Sequence, residues 1–143
     1  MIEKNPVIQL PCACATLRRA SRAVTQLYDD ALRESGLRAT QFTLLQALAQ
    51  VDSLTQGELG SLLRLDSTTL TRSLHPLIER GWIKSERGTD RRERHLRLSA
   101  SGKRKMLELA PSWERAQSRV LTALGTDWQK LEKGLNRVAG LAQ

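Results

Sequence analysis

Apolar residues recur at spacings of three and four along most of the chain, which is the period of an amphipathic helix. Four such segments precede residue 82, and they begin at Cys14, after Thr40, after the capping-box sequence Thr55-Gln-Gly-Glu58, and at Asp66 or Ser67. Gly36 and Gly81 follow the first and fourth segments, where a left-handed residue often ends a helix. The pattern therefore predicts four helices; the apolar positions of the third are Leu59, Leu62 and Leu63, and those of the fourth are Leu70, Leu74, Leu77 and Ile78.

The period changes after Gly81. Residues 82–87 and 94–98 have the pattern of two short strands on either side of a turn, which predicts a β-hairpin. Ser99 is placed to begin a long helix, in which Pro111 is expected to introduce a bend. A second capping-box sequence, Thr126-Asp-Trp-Gln129, precedes a last helical segment. The chain is therefore predicted to be mainly α, with one small β-hairpin near its centre.

The first and last predicted helices carry narrow apolar seams that a small central unit cannot cover. These seams are Leu17, Ala20, Val24, Leu27 and Ala31 in the first helix, and Trp128, Leu131, Leu135, Val138 and Ala142 in the last. A monomer that folds these helices back on its own chain is one solution. Two-fold dimers are the commonest oligomers, so we favour a homodimer in which residues 1–36 and 99–143 form the dimerisation region.

The order of the central elements is that of a winged helix-turn-helix, which we assign to residues 37–98. In this fold the second helix of the helix-turn-helix lies in the major groove of duplex DNA, so its inner side is apolar and its outer side polar or basic. At 100° per residue the fourth predicted helix places its leucines on one side and Thr68, Thr69, Arg72 and His75 on the other. Arg72 can donate two hydrogen bonds to a guanine edge.

Positive charge is concentrated beside this helix. The chain has 23 Lys and Arg against 15 Asp and Glu, a net charge of +8. Between residues 80 and 105 there are ten basic residues and three acids, a net +7; the basic residues are Arg80, Lys84, Arg87, Arg91, Arg92, Arg94, Arg97, Lys103, Arg104 and Lys105. Such a patch neutralises phosphates. Aromatic residues make up only 3% of the chain, which disfavours a single-strand binder that stacks bases.

Other classes of protein are less well supported. The sequence has no Gly-rich phosphate loop, no His-Glu-x-x-His and no Gly-x-Ser-x-Gly motif, so we expect no enzyme and no cofactor. It also has no leader-like start and no run of about twenty apolar residues, so a cytoplasmic protein without membrane contact is expected. A winged helix used only for protein interaction would not need the arginines, and a non-specific architectural protein would differ in its specificity ratio.

Four sequence segments together resemble the MarR family. They are Asp66-Ser-Thr-Thr-Leu-Thr-Arg72, Leu77-Ile-Glu-Arg-Gly-Trp-Ile83, Asp90-Arg-Arg92 and Leu98-Ser-Ala-Ser-Gly102. The resemblance implies six helices and a wing, a dimer, and a palindromic promoter site. It implies that Arg92 enters the minor groove and that Asp90 orients it. The expected DNA-binding residues are Ser67, Thr68, Thr69, Thr71, Arg72, Asp90, Arg91 and Arg92. Pro76 departs from the family pattern and puts contacts from His75 onwards in doubt.

Residues 14–28 resemble the peroxide-sensing OhrR branch of that family. The resemblance places a reactive cysteine at Cys14 and a supporting tyrosine from the other protomer at Tyr28, while Arg18 and Ala39 stand where that branch has other tyrosines. Independently, the first turn of a helix and Arg18 one turn later both favour a thiolate at Cys14. An inert cysteine is the alternative, and a Cys12–Cys14 metal site is disfavoured because zinc needs four ligands. A small phenol or aromatic acid is the alternative effector.

Overall fold

The computed structural model describes residues 9–142, and it confirms a mainly helical chain with a small antiparallel sheet. The elements in chain order are α1 (Ala13–Leu32), a 3-10 turn (Arg33–Ser35), α2 (Ala39–Leu48), β1 (Leu54–Thr55), α3 (Gln56–Leu63), α4 (Ser67–Glu79), β2 (Ile83–Arg87), β3 (Arg94–Leu98), α5 (Ala100–Leu124), a 3-10 turn (Gly125–Asp127), α6 (Trp128–Ala139) and a last 3-10 turn (Gly140–Ala142). Each predicted helix is present within a few residues of its predicted position.

The sheet has one strand more than the predicted hairpin. Its order is β1-β3-β2, and the two-residue strand β1 pairs antiparallel with β3, with Leu54 opposite Leu96 and Thr55 opposite His95. A two-residue strand is too short for the alternation that identifies strands in a sequence, which is why the pattern does not predict β1. Because Thr55 also caps α3, this strand ties the start of α3 to the wing.

The core lies in the central lobe, between α2, α3, α4 and the inner face of the sheet. Its fully buried side chains include Leu44, Leu45, Leu48, Leu59, Leu70, Leu74, Leu77, Ile83 and Leu96. Leu32 at the end of α1 and Leu109 of α5 join the same cluster, and the rings of Phe42 and Trp113 lie 6.3 Å apart. Burial of one leucine contributes about 2 kcal/mol, so this cluster is the main stabilising feature of the lobe.

Side-chain caps begin the helices of the central lobe. In the predicted capping box, the Thr55 hydroxyl accepts from the Glu58 amide at 3.1 Å and the Glu58 carboxylate accepts from the Thr55 amide at 2.8 Å. The predicted cap Thr40 is wrong, because α2 already begins at Ala39. The Ala39 amide donates to the carboxylate of Asp29, on α1, at 2.7 Å. A side chain distant in sequence therefore satisfies this helix end.

The terminal helices begin without such caps. Cys12 precedes α1 and Asp127 precedes α6, and neither side chain makes a capping hydrogen bond within the described chain. The predicted capping box at residues 126–129 is therefore not formed at Asp127, the observed cap position; the side chain of Thr126 lies outside the part of the structure that is described.

The wing and the start of α5 are in close contact. A Cβ at Gly102 would lie 2.3 Å from the carbonyl oxygen of Trp82, so only glycine fits this junction. The buried Ser99 hydroxyl accepts from the Gly102 amide at 3.0 Å and donates to the Gly81 carbonyl at 2.5 Å. Gly81 itself has a φ of 74°, the left-handed conformation predicted for it. The end of α4, the base of the wing and the first turn of α5 are therefore held together.

Two apolar side chains predicted to be buried are exposed, and two prolines lie within helices. Leu62 is 62% exposed and Ile78 36% exposed, so neither belongs to the buried stripe predicted for its helix. Both lie at the margin of a helical face, where period alone cannot distinguish a buried from an uncovered residue. Helix α5 continues through Pro111, and α4 continues through Pro76, so neither proline ends its helix.

Candidate nucleic-acid interface

Helix α4, the second helix of the helix-turn-helix, begins with a side-chain cap. The carboxylate of Asp66 accepts from the Thr69 amide at 2.8 Å and from the Thr69 hydroxyl at 2.7 Å. These hydrogen bonds to the charged form hold the pKa of Asp66 below its ordinary value. The cap fixes the first turn of α4, which contains Ser67, Thr68 and Thr69, three of the predicted DNA-binding residues.

The two sides of α4 differ as the sequence predicts. Leu70 and Leu74 are each 2% exposed and Leu77 is fully buried. The exposed residues include all of the predicted readers on this helix: Ser67, Thr68, Thr69, Thr71 and Arg72. His75 is also exposed, and its Nε2 lies 3.1 Å from a carboxylate oxygen of Glu79 one turn later. The structure therefore presents a continuous polar and basic face over the first two turns of α4.

The turn between α3 and α4 depends on a residue in an unusual conformation. Arg64, at the end of α3, has a φ of 55° and is the non-glycine residue with positive φ in the described chain. Its guanidinium also donates to the carbonyl oxygen of Ala139, at the end of α6. The left-handed residue makes the turn short, and its side chain connects the helix-turn-helix to the last helix.

The register of the wing places cations directly opposite one another. Lys84 pairs with Arg97, and Arg87 pairs with Arg94, across strands β2 and β3. Like charges at directly opposite positions destabilise a hairpin. Of these four cations, only Arg97 has an ion pair among the described residues, with Glu86 at 2.9 Å. The repulsion between these cations destabilises the wing on its own, and a neighbouring polyanion would relieve it.

Asp90 organises the tip of the wing through the backbone. Its carboxylate accepts from the Arg92 amide at 3.0 Å, and its carbonyl accepts from the Glu93 amide at 3.0 Å. Arg91 and Arg92 are exposed. Asp90 therefore contacts Arg92 through its backbone amide, and the role of Asp90 in orienting the Arg92 guanidinium stays a prediction.

The charged cluster at residues 80–105 divides into two parts. The guanidinium of Arg80 lies 5.0 Å from the ring centre of Trp82, and the ammonium of Lys105 lies 5.3 Å from the same centre. Lys105 also pairs with Glu108 at 3.2 Å. Cations above an aromatic ring stabilise the local structure. The cations available to a partner are therefore those of the wing together with the exposed Lys103 and Arg104 of α5, whereas Arg80 and Lys105 are engaged at the base of the wing.

The structure includes a glutamine that the sequence pattern does not single out. Gln56, the first residue of α3, donates from Nε2 to the hydroxyl of Thr71 on α4 at 3.1 Å. Local patterns could not identify this pair, because its members are fifteen residues apart and belong to different helices.

The predicted sensing residues lie on one helix, with Arg18 one turn after Cys14 and Tyr28 distant from both. Cys14 and Arg18 are exposed in the first turns of α1, and Cys12 is exposed just before it. Tyr28 is fourteen residues beyond Cys14 on the same helix, which corresponds to about 21 Å of rise. Its hydroxyl donates to Gln117 of α5, and burial raises the pKa of this tyrosine.

A cavity of about 300 Å³ lies between α1, α2 and α5, at the junction of the terminal helices with the central lobe. No charged side chain of the described chain lines it; the lining residues are Val24, Thr25, Tyr28, Leu32, Ala39, Phe42, Thr43, Gln46, Trp113 and Gln117. Its volume is at the lower limit of ordinary small-molecule sites.

Across residues 9–142, no three His, Cys, Asp or Glu side chains come together in a way that could hold a metal ion. Over the same residues, no helix has both the length and the apolar character needed to cross a membrane.

Comparison with known proteins identifies relatives over the centre and over nearly the whole chain. The MarR family model matches residues 37–93. The transcriptional regulator MosR of Mycobacterium tuberculosis, in a crystal structure with DNA, is 35% identical with a TM-score of 0.80, covering 92% of this chain and 96% of that one. YwoH of Bacillus subtilis, an uncharacterized HTH-type transcriptional regulator, is 28% identical over 65% of this chain and 68% of its own. A mutant of Escherichia coli MarR in complex with operator DNA is 22% identical, with a TM-score of 0.75 and 87% and 91% coverage, and shows the fold alone.

Proposed function

The chain belongs to the MarR family, and from this premise we propose that it is a transcriptional regulator that binds a pseudo-palindromic duplex DNA site as a homodimer and represses the adjacent promoter. The first two turns of α4 would read base edges in the major groove through Thr68, Thr69 and Arg72. The wing would place Arg92 in the adjacent minor groove. A dimer bound at a promoter would exclude the polymerase.

The observation that carries this proposal is the pair of opposed cations in the wing. Lys84 faces Arg97 and Arg87 faces Arg94, although such contacts destabilise the hairpin. A phosphate backbone removes the repulsion and releases counterions, which is the main sequence-independent term in DNA binding. MosR, the relative with 35% identity, was crystallised in complex with DNA, which supports the same role for this chain.

The first test is a salt titration of binding to the promoter DNA upstream of the protein's own coding sequence. For a dimer, the logarithm of the association constant should fall with the logarithm of salt concentration with a slope of roughly −5 or steeper, because each phosphate contact contributes about −0.9. A slope near zero contradicts the proposal.

The same titration can separate base readers from backbone contacts. The Arg72→Ala variant should relax base preference and weaken operator binding by about 1 to 3 kcal/mol, whereas Arg92→Ala should weaken binding through the minor groove. Arg119→Ala is the matched control, because it removes one exposed arginine from α5, outside the lobe. If either lobe variant binds like the control, the role given to that arginine is wrong.

The homodimer is supported by apolar side chains that the single chain leaves uncovered. Leu17 and Val24 of α1 are 39% and 36% exposed, and Leu131 and Val138 of α6 are 38% and 50% exposed. A two-fold dimer that buries them would place its recognition helices about 34 Å apart, one turn of DNA. Footprinting should then reveal two half-sites centred about 10 base pairs apart.

For the regulatory signal we propose oxidation of Cys14. The thiol is exposed and lies in the first turn of α1, one turn before Arg18, where a peroxide in solution can reach it. Oxidation at the dimer junction would shift α1 and release DNA. Operator binding should be followed over a peroxide titration for the parent, Cys12→Ser and Cys14→Ser, with mass spectrometry to locate the modified residue. Release that persists in Cys14→Ser contradicts this signal.

The cavity between α1, α2 and α5 favours a second candidate signal. It contains hydroxyl and amide groups but, among the described residues, no cation to pair with a carboxylate, so a neutral phenol fits it better than an aromatic acid. If a phenol is the effector, it should weaken operator binding in the Cys14→Ser variant as well. The phenol should lose its effect in Thr43→Leu, which fills the cavity.

A winged helix used only to bind protein and a non-specific architectural binder are the other classes. Competition of labelled operator with random duplex separates them, because a regulator should prefer its operator by about 10³-fold or more. Equal competition would favour the architectural class, and absence of duplex binding would favour protein interaction.

A further inference from the structure

The hydrogen bond between Gln56 and Thr71 joins the two helices of the helix-turn-helix on their exposed side. The Gln56 amide nitrogen lies 3.1 Å from the Thr71 hydroxyl oxygen. Thr71 is exposed and is adjacent to Arg72 on the recognition helix. Gln56 therefore contacts the candidate DNA-reading face from the neighbouring helix.

This bond differs from the usual behaviour of a helical threonine. The hydroxyl of Thr43, in α2, donates to the carbonyl oxygen of Ala39 one turn earlier, at 3.0 Å. In the described chain Thr71 makes no such bond to its own helix, and its oxygen accepts from Gln56 instead. Because the oxygen is occupied as an acceptor, the hydroxyl hydrogen is left to donate in another direction.

Packing between α3 and α4 holds the pair in place. One turn after Gln56, a Cβ at Gly60 would lie 3.3 Å from both the Leu65 carbonyl oxygen and the Leu70 side chain. The helices are therefore in close contact beside the pair, and Leu70 is almost completely buried. A hydrogen bond between two neutral exposed groups adds little stability, because water satisfies both groups equally well. Its effect is to restrict the side-chain directions.

We propose that Gln56 is a specificity-determining residue that orients the Thr71 hydroxyl, and that the two side chains together read one A·T base pair in the major groove. The pair offers an oriented hydroxyl donor and the free amide oxygen of Gln56 as an acceptor. The major-groove edge of adenine presents the complementary groups, the N7 acceptor and the N6 donor. The inference rests on the proposed function, because it concerns the same DNA-binding face.

The test is a double-mutant cycle measured with a library of operators randomised at each position. Gln56→Ala and Thr71→Ala should each lose preference for A·T at the same position of each half-site, by about tenfold. The double variant should lose little more than either single variant, which corresponds to a coupling of about fivefold or more. Thr71→Ser retains the hydroxyl and should retain the preference.

A matched control distinguishes base reading from a general structural effect. Gln50→Ala removes an exposed glutamine just after α2, outside both proposed sites, and should leave the preference unchanged. A purely structural role for Gln56 would lower thermal stability and weaken binding to all sequences alike. Uniform weakening, additive losses, or a changed preference at a different or G·C position would overturn the inference. A parent protein that does not prefer any duplex over random DNA would overturn the proposed function itself, before any variant is considered.

Discussion

The central lobe and the terminal helices bury their apolar residues in different ways. The lobe encloses a leucine cluster in which nine large side chains from α2, α3, α4 and the sheet are fully buried: Leu44, Leu45, Leu48, Leu59, Leu70, Leu74, Leu77, Ile83 and Leu96. In contrast, α6 has no buried residue among those described, and α1 has only Leu32. The lobe helices α3 and α4 also have side-chain caps, whereas the described parts of α1 and α6 have none.

The difference shows which part of the chain is complete in one copy. The helix ends of the lobe are satisfied and its leucine cluster is buried within one copy, with Asp29 of α1 at the start of α2, so the candidate DNA-binding surface has a well-packed support. The terminal helices have periodic apolar positions that the described chain leaves partly uncovered, which is the condition expected of an interface.

Removing a buried leucine from the lobe should have the largest effect. Leu77 is fully buried, and Leu77→Ala should lower the free energy of unfolding by about 2 to 5 kcal/mol, because it removes contacts and leaves a cavity. Urea denaturation followed by circular dichroism measures the change. The control is Leu107→Ala at a leucine that is 76% exposed, where a change within about 0.5 kcal/mol is expected. Equal losses in the two variants would contradict the contrast.

A charged residue on the apolar seam of α6 should weaken dimerisation. Leu131→Glu places a carboxylate on the apolar face of α6 and should raise the dimer dissociation constant about tenfold or more, because the charge would be buried without a partner. Sedimentation over a concentration series measures it. Leu62→Glu makes the same chemical change at an exposed leucine of the lobe and should leave the constant unchanged. A parent that sediments as a monomer at micromolar concentration would remove the dimer from the proposal.

Removing the residue before a helix should cost less stability than removing a buried leucine, and the cost should be larger in the lobe than in the terminal helices. Thr55→Ala removes the hydroxyl that accepts from the Glu58 amide and should cost about 1 kcal/mol of stability. Cys12→Ala removes a side chain that makes no capping bond in the described chain, so its effect should remain within about 0.5 kcal/mol. Thermal denaturation of the two variants measures the two losses of stability. Equal losses in Thr55→Ala and Cys12→Ala would contradict the prediction.

The smallest expected effect is the pH dependence of the Asp66 cap. Because the pKa of Asp66 is lower in the folded protein than in the unfolded chain, the carboxylate stabilises the fold above the ordinary pKa range of aspartate. This stabilisation is lost as the pH falls through the lower folded-state value. The destabilisation caused by Asp66→Ala should therefore be smaller at about pH 3 than at about pH 7. Asp66→Ser retains a cap that does not titrate, and its stability relative to Asp66→Ala should not decrease in the same way.

Much of this fold follows from local patterns. The capping box at Thr55 and the left-handed Gly81 are identifiable because each depends on residues within a few positions. Strand β1 is not predicted, because two residues are too few to show the alternation of a strand. The predicted start of α2 is wrong, because the Ala39 amide is satisfied by Asp29 from another helix. Leu62 and Ile78 fit the helical period but lie outside the buried face.

The candidate site also combines features that local sequence predicts with features that depend on the tertiary fold. The exposed face of α4 follows from helical geometry, and the concentration of arginines in the wing is visible in the sequence. The opposed cations depend on the register of β2 against β3, which the sequence does not define. The contacts from Gln56 to Thr71 and from Arg64 to Ala139 join residues that only the tertiary fold brings together.

Because Gly102 is in close contact with Trp82, a rotation of α5 also moves the base of the wing. The helix has 25 residues and is therefore about 37 Å long, and its first turn is fixed to the base of the wing. A rotation of about 5° about the far end of a straight rod of that length moves the near end by about 3 Å, which is close to the roughly 3.4 Å of helix axis that each base pair of DNA occupies. In the proposed dimer, a small change of angle where the two copies meet would thus be converted into a displacement of about one base-pair step at each DNA-reading face, with no helix unfolding on the way.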